Sequence, residues 1–269
     1  MREKPTDIYA MLRQALVARI DLGDDEMILT PRPAGWSSPA ARGDGAEQVQ
    51  TETASIVSVE EAVLGEGKAS ETSQAGLGLY QEPSYGSLDE HRAAICECQE
   101  CPLGQTRNKF VYGVGNPNAG VMFIGEAPGA DEDRLGEPFV GRAGQLLDKI
   151  LAAIELSRDD VYIGNILKCR PPANRDPNPD EMAKCFPYLR EQVRLIRPKL
   201  ICALGRIAGQ ALLKTSTPLG KLRGRWHEYE GVPLMLTYHP AALLRFPGYK
   251  RDTWEDMKML KARYDQLTA

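Results

Sequence analysis

Four cysteines, arranged as two pairs, are the residues whose spacing points most directly to chemistry. Cys98 and Cys101 form a CxxC group, and Cys169 and Cys185 follow much further along the chain. Thiolates with this spacing can converge on one soft-metal site, either a [4Fe–4S] cluster or tetrahedral zinc. The interval between the pairs is long enough for a strand–helix–strand unit, so the metal would tie the start of the ordered fold to its middle.

Two further cysteines have other interpretations. Cys202 lies within the apolar run LICALG, which is typical of a buried core thiol. Cys96 extends the first group to CECQEC and competes with Cys98 as the first ligand.

Polar side chains follow three apolar runs at the points where strands would end. Glu126 ends GVMFIGE, Asn165 interrupts VYIGNILK, and His239 follows VPLMLTY. Alone, each favours a structural explanation, as does Phe139 beside a glycine-rich helix start. An amide in a pocket, however, can read both a donor and an acceptor on a base edge. Because ligands bind at the carboxyl ends of parallel strands, we expect these residues to face one crevice.

The elements that must position these residues alternate along the chain. Four apolar runs predict buried strands, at 120–126, 161–168, 199–205 and 232–238. Helical stretches lie between and after them, at 143–154, 179–196, 206–214 and from Thr253 onwards. A capped helix beginning at Ser87 would deliver the first cysteine pair. This alternation of strands and helices predicts a three-layer α/β/α sandwich around a central, mainly parallel four-stranded sheet.

Composition divides the chain into an acidic leader and a mildly basic core. Residues 1–85 hold 7 Lys and Arg against 14 Asp and Glu, and the remainder holds 26 against 23. The spacing of apolar residues predicts a short amphipathic helix within 1–21, and the composition of 22–85 predicts a disordered linker. Residues 86–269 would then form one folded domain that carries the candidate site residues. The leader's partner, if it has one, is not indicated by these residues.

No run approaches the roughly 18 apolar residues that a membrane span requires. The first residues, MREKPTDIYA, lack the apolar core of a secretory signal. We therefore expect a cytoplasmic protein, acting as a monomer without membrane contact, whose cysteines are thiols or metal ligands.

Five motifs in order resemble the family-4 (thermostable-type) uracil-DNA glycosylases, which carry a [4Fe–4S] cluster. The motifs are CQECPLGQTR, GEAPGADED, PFVGRAGQLL, NILKCRPPANRDP and HPAALLR, and the resemblance covers residues 87–268. It implies the fold of that family and an enzyme that flips uracil out of single- or double-stranded DNA. Hydrolysis of the N-glycosidic bond would leave an abasic site and start base excision repair.

The resemblance also implies a role for each matching residue. The cluster ligands would be Cys98, Cys101, Cys169 and Cys185. Cys98 is preferred to Cys96 because a CxxC followed by Pro-Leu is the family's form. The uracil pocket would comprise Gly125, Glu126, Ala127, Phe139, Asn165 and His239. Within it, Glu126 helps to place water, Phe139 stacks on the base, Asn165 reads its edge and His239 donates a hydrogen bond to O2.

Contacts with DNA are expected on two segments. Leu243 is the predicted wedge that fills the vacated stack, with Leu244 or Arg245 as alternatives. The predicted phosphate contacts are Lys168, Arg170 and Arg175, whose alternative interpretation is ordinary solvated charge.

One departure from better-known uracil glycosylases concerns the mechanism. Ala127 and Gly129 occupy the positions of a water-activating Asp and a Tyr that blocks the thymine methyl. Without that base, the reaction should be largely dissociative, with late capture of water. Two other hypotheses stay open: a metal-bound nucleic-acid-binding protein without catalysis, and a glycosylase that accepts other deaminated bases.

Overall fold

The computed structural model describes residues 84–269. The predicted helix within 1–21 lies outside the described residues, as does the predicted linker at 22–85 except for its last two residues. In the part of the chain that is described, no helix is both long enough and apolar enough to cross a membrane.

A six-stranded mixed sheet forms the centre of the fold. Its strands are β1 (Val114–Gly115), β2 (Val121–Gly125), β3 (Tyr162–Asn165), β4 (Leu200–Leu204), β5 (Trp226–Tyr229) and β6 (Val232–Thr237). The strand order is β1-β3-β2-β4-β6-β5, with the four inner strands parallel and the two edge strands antiparallel to their neighbours. The predicted parallel core is confirmed, and the structure adds two short edge strands.

Helices precede, connect and follow the strands. They are α1 (Leu88–Ile95), α2 (Leu103–Thr106), α3 (Ala130–Leu135), α4 (Arg142–Ala153), α5 (Pro179–Ile196), α6 (Arg206–Leu213), α7 (Leu219–Leu222), α8 (Pro240–Arg245) and α9 (Tyr249–Thr268), with a 3₁₀ turn at Pro172–Asn174. Ser87 caps α1 as expected, because its hydroxyl accepts from the backbone N–H of Glu90. The helix ends before the first cysteine pair, so Cys98 and Cys101 both lie in the connection between α1 and α2.

Both faces of the sheet are buried, which explains why the strand segments are almost entirely apolar. Met122 and Ile124 of β2 pack in one cluster with residues of α5 and α6. Val121 and Phe123 face the opposite side, where α4 and α9 cover the sheet. The result is the predicted three-layer α/β/α sandwich.

The chain changes direction across the sheet at β2. From β2 it runs to β3 on one side and then to β4 on the other, which is the switch point where parallel α/β sheets open a crevice. Backbone pairing continues past the strand ends, where the N–H of Ile166 donates to the carbonyl of Gly125 and that of Leu167 to Glu126 (each 3.0 Å). Because the strand ends are held together, the residues that follow them converge.

Candidate active site

A cleft of about 770 Å³ lies at the carboxyl edge of the parallel strands. The structure brings most of the predicted pocket residues to it: Glu126, Ala127, Phe139, Asn165 and His239. Gly125 lies directly behind the wall that Asn165 and Phe139 form. Four segments that are far apart in sequence thus contribute to one site.

Asn165 presents an unpaired acceptor at this cleft. The residue is 2% exposed, and its Oδ1 atom has no hydrogen-bond partner within the described residues. Gly125 makes room for it, because a side chain there would clash with Asn165 Oδ1 and come within 2.7 Å of Phe139 Cζ. A buried acceptor without a partner costs stability, so this atom is available to a donor from a ligand in the cleft.

Phe139 is held in a strained backbone conformation. Its φ is 54°, a left-handed value that residues with a side chain rarely adopt. Arg158 binds the carbonyl oxygens of Phe139 and Pro138, the latter at 3.2 Å. The following helix approaches so closely that any side chain at Gly144 would overlap the Phe139 carbonyl. These contacts fix the ring at the cleft wall, where its centroid lies 5.4 Å from that of His239.

Glu132 organises the same loop from the other side. One carboxylate oxygen accepts from the backbone N–H groups of Val140 and Gly141 (3.0 Å each), and the other accepts from Gly129 (3.1 Å). The sequence analysis did not assign Glu132 or Arg158 to the site. An acidic residue at the third position of a helix is a capping signal, and this could have identified Glu132.

His239 is fixed as a neutral donor. The backbone N–H of Ala241 donates to its Nδ1 atom at 3.1 Å, so the proton of the neutral ring resides on Nε2. Burial lowers the pKa of His239 to about 4, and the positive charge of Arg245 contributes to this shift. Near neutral pH the ring is therefore an uncharged imidazole that can donate from Nε2 into the cleft.

The pKa of Glu126 is shifted in the opposite direction from that of His239. Burial raises the pKa of Glu126 to about 7, with a further contribution from the nearby charge of Asp176, while Arg206 opposes the change. Arg206 and Asp176 form an ion pair of 2.7 Å at the cleft. A carboxyl group with this pKa changes its protonation state within the range in which enzymes work.

Two of the predicted DNA contacts are buried in this structure. Lys168 is fully buried, and its ammonium group donates to the carbonyl of Asn165 (2.8 Å) and to Gln192 Oε1 (2.6 Å). Leu243 is 2% exposed in the core, because its position on α8 turns it away from the cleft. The alternatives Leu244 and Arg245 line the cleft instead.

The basic residues at the cleft differ from the predicted set. Arg175 lines it but forms a two-pronged ion pair with Glu181 (2.6 and 2.9 Å), and Arg170 binds Asn174 Oδ1 at 2.8 Å. Arg142, which the sequence did not single out, and Arg245 also line the cleft, and neither forms an ion pair within residues 84–269. These two guanidinium groups are free to meet phosphates.

The predicted thiol site is assembled from three parts of the fold. Cys101 packs against the apolar cluster that contains Cys169 and Cys185, and Arg107 donates to both the carbonyl of Cys98 and the Sγ atom of Cys169. The Cys96 thiol instead donates to the carbonyl of Ala93, at 3.5 Å. All these cysteines are free thiols. The segments that carry the four predicted ligands are therefore neighbours in the fold.

The surroundings of the thiols suit an anionic cluster. Arg107 donates to Cys169 Sγ at 3.3 Å, the Tyr188 hydroxyl to Cys98 Sγ at 3.2 Å, and the backbone N–H of Lys168 to Cys185 Sγ at 3.3 Å. Such donors stabilise metal-bound thiolates. Among residues 84–269 no three His, Cys, Asp or Glu side chains are grouped closely enough for a single metal ion. A [4Fe–4S] cluster attaches each thiolate to a different iron, so it requires a wider spacing.

The fold is an α/β/α sandwich with one cleft at the carboxyl edge of its parallel strands, and comparison with known proteins places it in a family. The family model of the uracil DNA glycosylase superfamily matches residues 112–258, and the chain belongs to this superfamily. It is 46% identical over 182 residues to the type-4 uracil-DNA glycosylase of Archaeoglobus fulgidus, covering 65% of this chain and 92% of that protein.

Two other relatives indicate how the similarity is distributed. The type-4 uracil-DNA glycosylase of Thermotoga maritima is 42% identical over 172 residues, which is 62% of this chain and 90% of that protein. The type-5 uracil-DNA glycosylase of Pyrobaculum aerophilum is 38% identical over 146 residues, which is 48% of this chain and 64% of that protein.

Proposed function

We propose that this chain is a uracil-DNA glycosylase that extracts uracil from DNA and hydrolyses its N-glycosidic bond. The observation that carries the proposal is the unpaired, buried Oδ1 atom of Asn165 in a cleft bounded by Phe139 and a neutral His239. A base inside a duplex cannot reach such a recess, so the nucleotide must be extruded at a cost of about a few kcal/mol.

Asn165 would select uracil through its amide. The N3–H group of uracil would donate to Oδ1, and the neighbouring O4 atom would accept from the amide nitrogen. Cytosine presents an acceptor at N3 and a donor at C4, so both pairs would be mismatched. Because the amide is buried, the mismatched groups would lose hydrogen bonds to water without replacement, and cytosine would be rejected.

His239 would stabilise the leaving group. Cleavage transfers the electron pair of the C1′–N1 bond to the pyrimidine, and negative charge develops on O2. The Nε2–H group of His239 would donate a hydrogen bond to that oxygen without transferring its proton. A preoriented donor of this kind typically contributes roughly 10²–10³ in rate.

Glu126 would act on the sugar side. Its ionised carboxylate would stabilise the developing oxocarbenium ion and orient the water that attacks C1′. Ala127 supplies no side-chain base beside it, so bond breaking would run ahead of water attack. Leu244 would occupy the space that the base leaves in the stack, and Arg142 and Arg245 would hold phosphates.

We also propose a [4Fe–4S] cluster held by Cys98, Cys101, Cys169 and Cys185. The type-4 relatives, the contacts between the segments that carry the four cysteines and the donors to three of the sulfur atoms support it. When bound, the cluster would supply a fixed link between segments of the fold. The residues after Cys169 run directly to Arg175 at the cleft, so this link would position part of the DNA-binding surface.

A cytoplasmic location and a monomeric state complete the proposal. The six cysteines are free thiols, which supports a reducing compartment. Light scattering of the purified protein, with and without DNA, tests the monomer.

The decisive test is release of uracil from single- and double-stranded oligonucleotides by iron-replete protein. We expect wild-type protein to produce an abasic site, and Asn165→Ala and His239→Ala each to lower the single-turnover rate by roughly 10²–10³. Asn118→Ala, which changes an exposed asparagine before β2, is the matched control and should retain full activity.

Two results would contradict the proposal. If wild-type protein bound DNA tightly but independently of uracil and released no base, the chain would be a binding protein without catalysis. If Asn165→Ala kept wild-type activity, Asn165 would not be the residue that selects uracil. Oligonucleotides that contain hypoxanthine or other deaminated bases, tested in parallel, define the breadth of the substrate range.

A further inference from the structure

Three aromatic side chains form a continuous surface that begins inside the cleft and ends in solvent. Tyr238 lines the cleft and stacks on Tyr249, with the ring centroids 4.1 Å apart and the rings 4° from parallel. The ring of Phe246 lies 5.8 Å from that of Tyr249. We call Tyr238, Tyr249 and Phe246 the aromatic ledge.

The outer part of the ledge is unusually exposed for apolar groups. Phe246 is 58% exposed and Tyr249 is 39% exposed. The other large exposed hydrophobic residues within 84–269, Leu135 and Leu267, are not part of any such ring group. Single exposed apolar residues are ordinary, but adjacent ones beside a binding cleft mark an interaction surface.

The ledge is continuous with the cleft that the proposed function uses. Phe246 follows α8 directly, and the last residues of that helix, Leu244 and Arg245, line the cleft. A DNA strand with one nucleotide in the cleft would therefore place the next nucleotide of the same strand at the ledge.

The charges around the ledge favour a polyanion. Arg245 and Arg251 are exposed on either side of Phe246 and Tyr249 in the chain. Arg223 lies over the Tyr238 ring at 5.6 Å and is held there by Asp256, so it stiffens the inner end of the ledge. Aromatic faces interleaved with basic side chains are the features that bind single-stranded nucleic acid.

We propose that the aromatic ledge stacks an unpaired base of the DNA strand next to the extracted uridine. Removal of one nucleotide leaves its neighbour with one face unstacked, and an aromatic ring can replace the lost partner. Phe246 receives the base, Tyr249 supports it, and Arg245 neutralises the phosphate between the two nucleotides. The preferred substrate is then DNA in which the neighbour of the uridine is itself free to leave the helix.

This inference rests on the proposed function and is tested by a signal that does not require catalysis. Single-stranded oligonucleotides carry uracil with the fluorescent base 2-aminopurine on its 5′ or its 3′ side. Stacking on an aromatic ring quenches this fluorophore. Binding is followed by its fluorescence and, independently, by anisotropy of a distant label, and the uracil-release rate is measured on the same strands.

With wild-type protein we expect quenching for one of the two placements. Phe246→Ala should abolish this quenching and weaken binding about 5- to 100-fold, whereas Phe246→Trp should preserve both. The matched control Leu267→Ala removes a similarly exposed apolar side chain at the end of α9 and should change neither. When the neighbouring nucleotide lacks a base, wild-type protein and Phe246→Ala should bind equally.

Equal weakening by Phe246→Ala on strands with and without the neighbouring base would overturn the inference, as would unchanged quenching in that variant. The proposed function fails separately: in that case wild-type protein releases no uracil from any strand. If uracil is released normally while the ledge variants behave as wild-type, the proposed function stands and the ledge has no part in it.

Discussion

At the scale of single residues, burial at the cleft sets the two titratable groups for different tasks. It lowers the pKa of His239 to about 4 and raises that of Glu126 to about 7, because each neutral form is favoured where water is scarce. His239 is consequently neutral throughout the physiological range, whereas Glu126 is ionised only in its upper part. Any pH dependence near neutrality should therefore come from the carboxyl group.

The first prediction concerns this pH dependence. Below about pH 7 Glu126 is protonated, so it can no longer stabilise a cationic sugar or orient water, and the single-turnover rate should fall about tenfold per pH unit. Glu126→Gln should be slower at high pH and should lack this acid limb. A pH–rate profile of both proteins provides the measurement, and an acid limb that persists in the variant would assign the titration to another group.

The sequence identified some site residues better than others, for a physical reason. Asn165 and His239 could be found because strand ends in a parallel sheet meet at one edge. The sequence gives the charge of Lys168 but not the direction of its side chain, which here turns inward to Gln192. Arg158 could not be identified from the sequence, because its side chain binds the backbone carbonyl of Phe139 in a different segment. A contact of this kind leaves no pattern in the residue types.

At the scale of elements, the connection between α3 and α4 acts as a preformed wall. Arg158 holds its carbonyl oxygens, while Glu132 holds the N–H groups of Val140 and Gly141. With both sides fixed, Phe139 keeps an unfavourable backbone conformation without a ligand. A wall that is already ordered can meet a ligand without an ordering cost.

The second prediction follows from this arrangement. Arg158→Met should allow Phe139 to relax and lower kcat/KM about 10- to 100-fold, because small misplacements of a contacting group are costly. Asp148→Asn is the matched control, since it removes the 2.6 Å ion pair of Arg158 but leaves the arginine in place. The measurement is kcat/KM of both variants on a uracil-containing single strand. Equal losses of kcat/KM in the two variants would refute a positioning role for Arg158.

The third prediction separates the competing cysteines. Cys98→Ser should lose the bound iron and the visible absorption, because the Cys98 thiol accepts from Tyr188 and its carbonyl is bound by Arg107, which also donates to Cys169. Cys96→Ser should retain both, since this thiol faces the carbonyl of Ala93. Iron content per chain is the measurement. The opposite pattern would make Cys96 the ligand.

The sequence predicted the inner elements more accurately than the marginal ones. The four parallel strands carry continuous apolar runs because both of their faces are covered, whereas β1 has only two residues and β5 reads WHEY. In α8, two adjacent leucines could each have faced the core. Only the packed helix decides that Leu243 does so and that Leu244 faces the cleft.

At the scale of the whole molecule, the four thiols connect parts of the fold that secondary structure leaves separate. Cys98 and Cys101 lie between α1 and α2, Cys169 follows β3, and Cys185 lies on α5. Burial raises the pKa of Cys169 and raises that of Cys185 to about 12, so without metal both thiols are protonated. Only noncovalent contacts, such as those of Arg107 and Tyr188 with the cysteines, would then join these segments, and the proposed cluster would add a covalent link.

The fourth prediction concerns removal of that cluster. Iron-free protein should unfold at a Tm lower by about 10 °C or more, because several kcal/mol of metal binding contribute to folding. Limited proteolysis should cut first in the segment between α1 and β1. Calorimetry and mass spectrometry of iron-free protein, with Cys96→Ser as the iron-bound control, provide the measurements. An unchanged Tm would mean that the thiols are not a structural site.

Lys168 connects the proposed metal site to Asn165 of the cleft. It donates to the main-chain oxygen of Asn165, the proposed reader of the base, and it immediately precedes Cys169 of the proposed metal site. Damage at that thiol, by oxidants for example, would then pass through Lys168 to Asn165. Accuracy in telling damaged from normal cytosine would decline together with iron content, before the protein lost its shape.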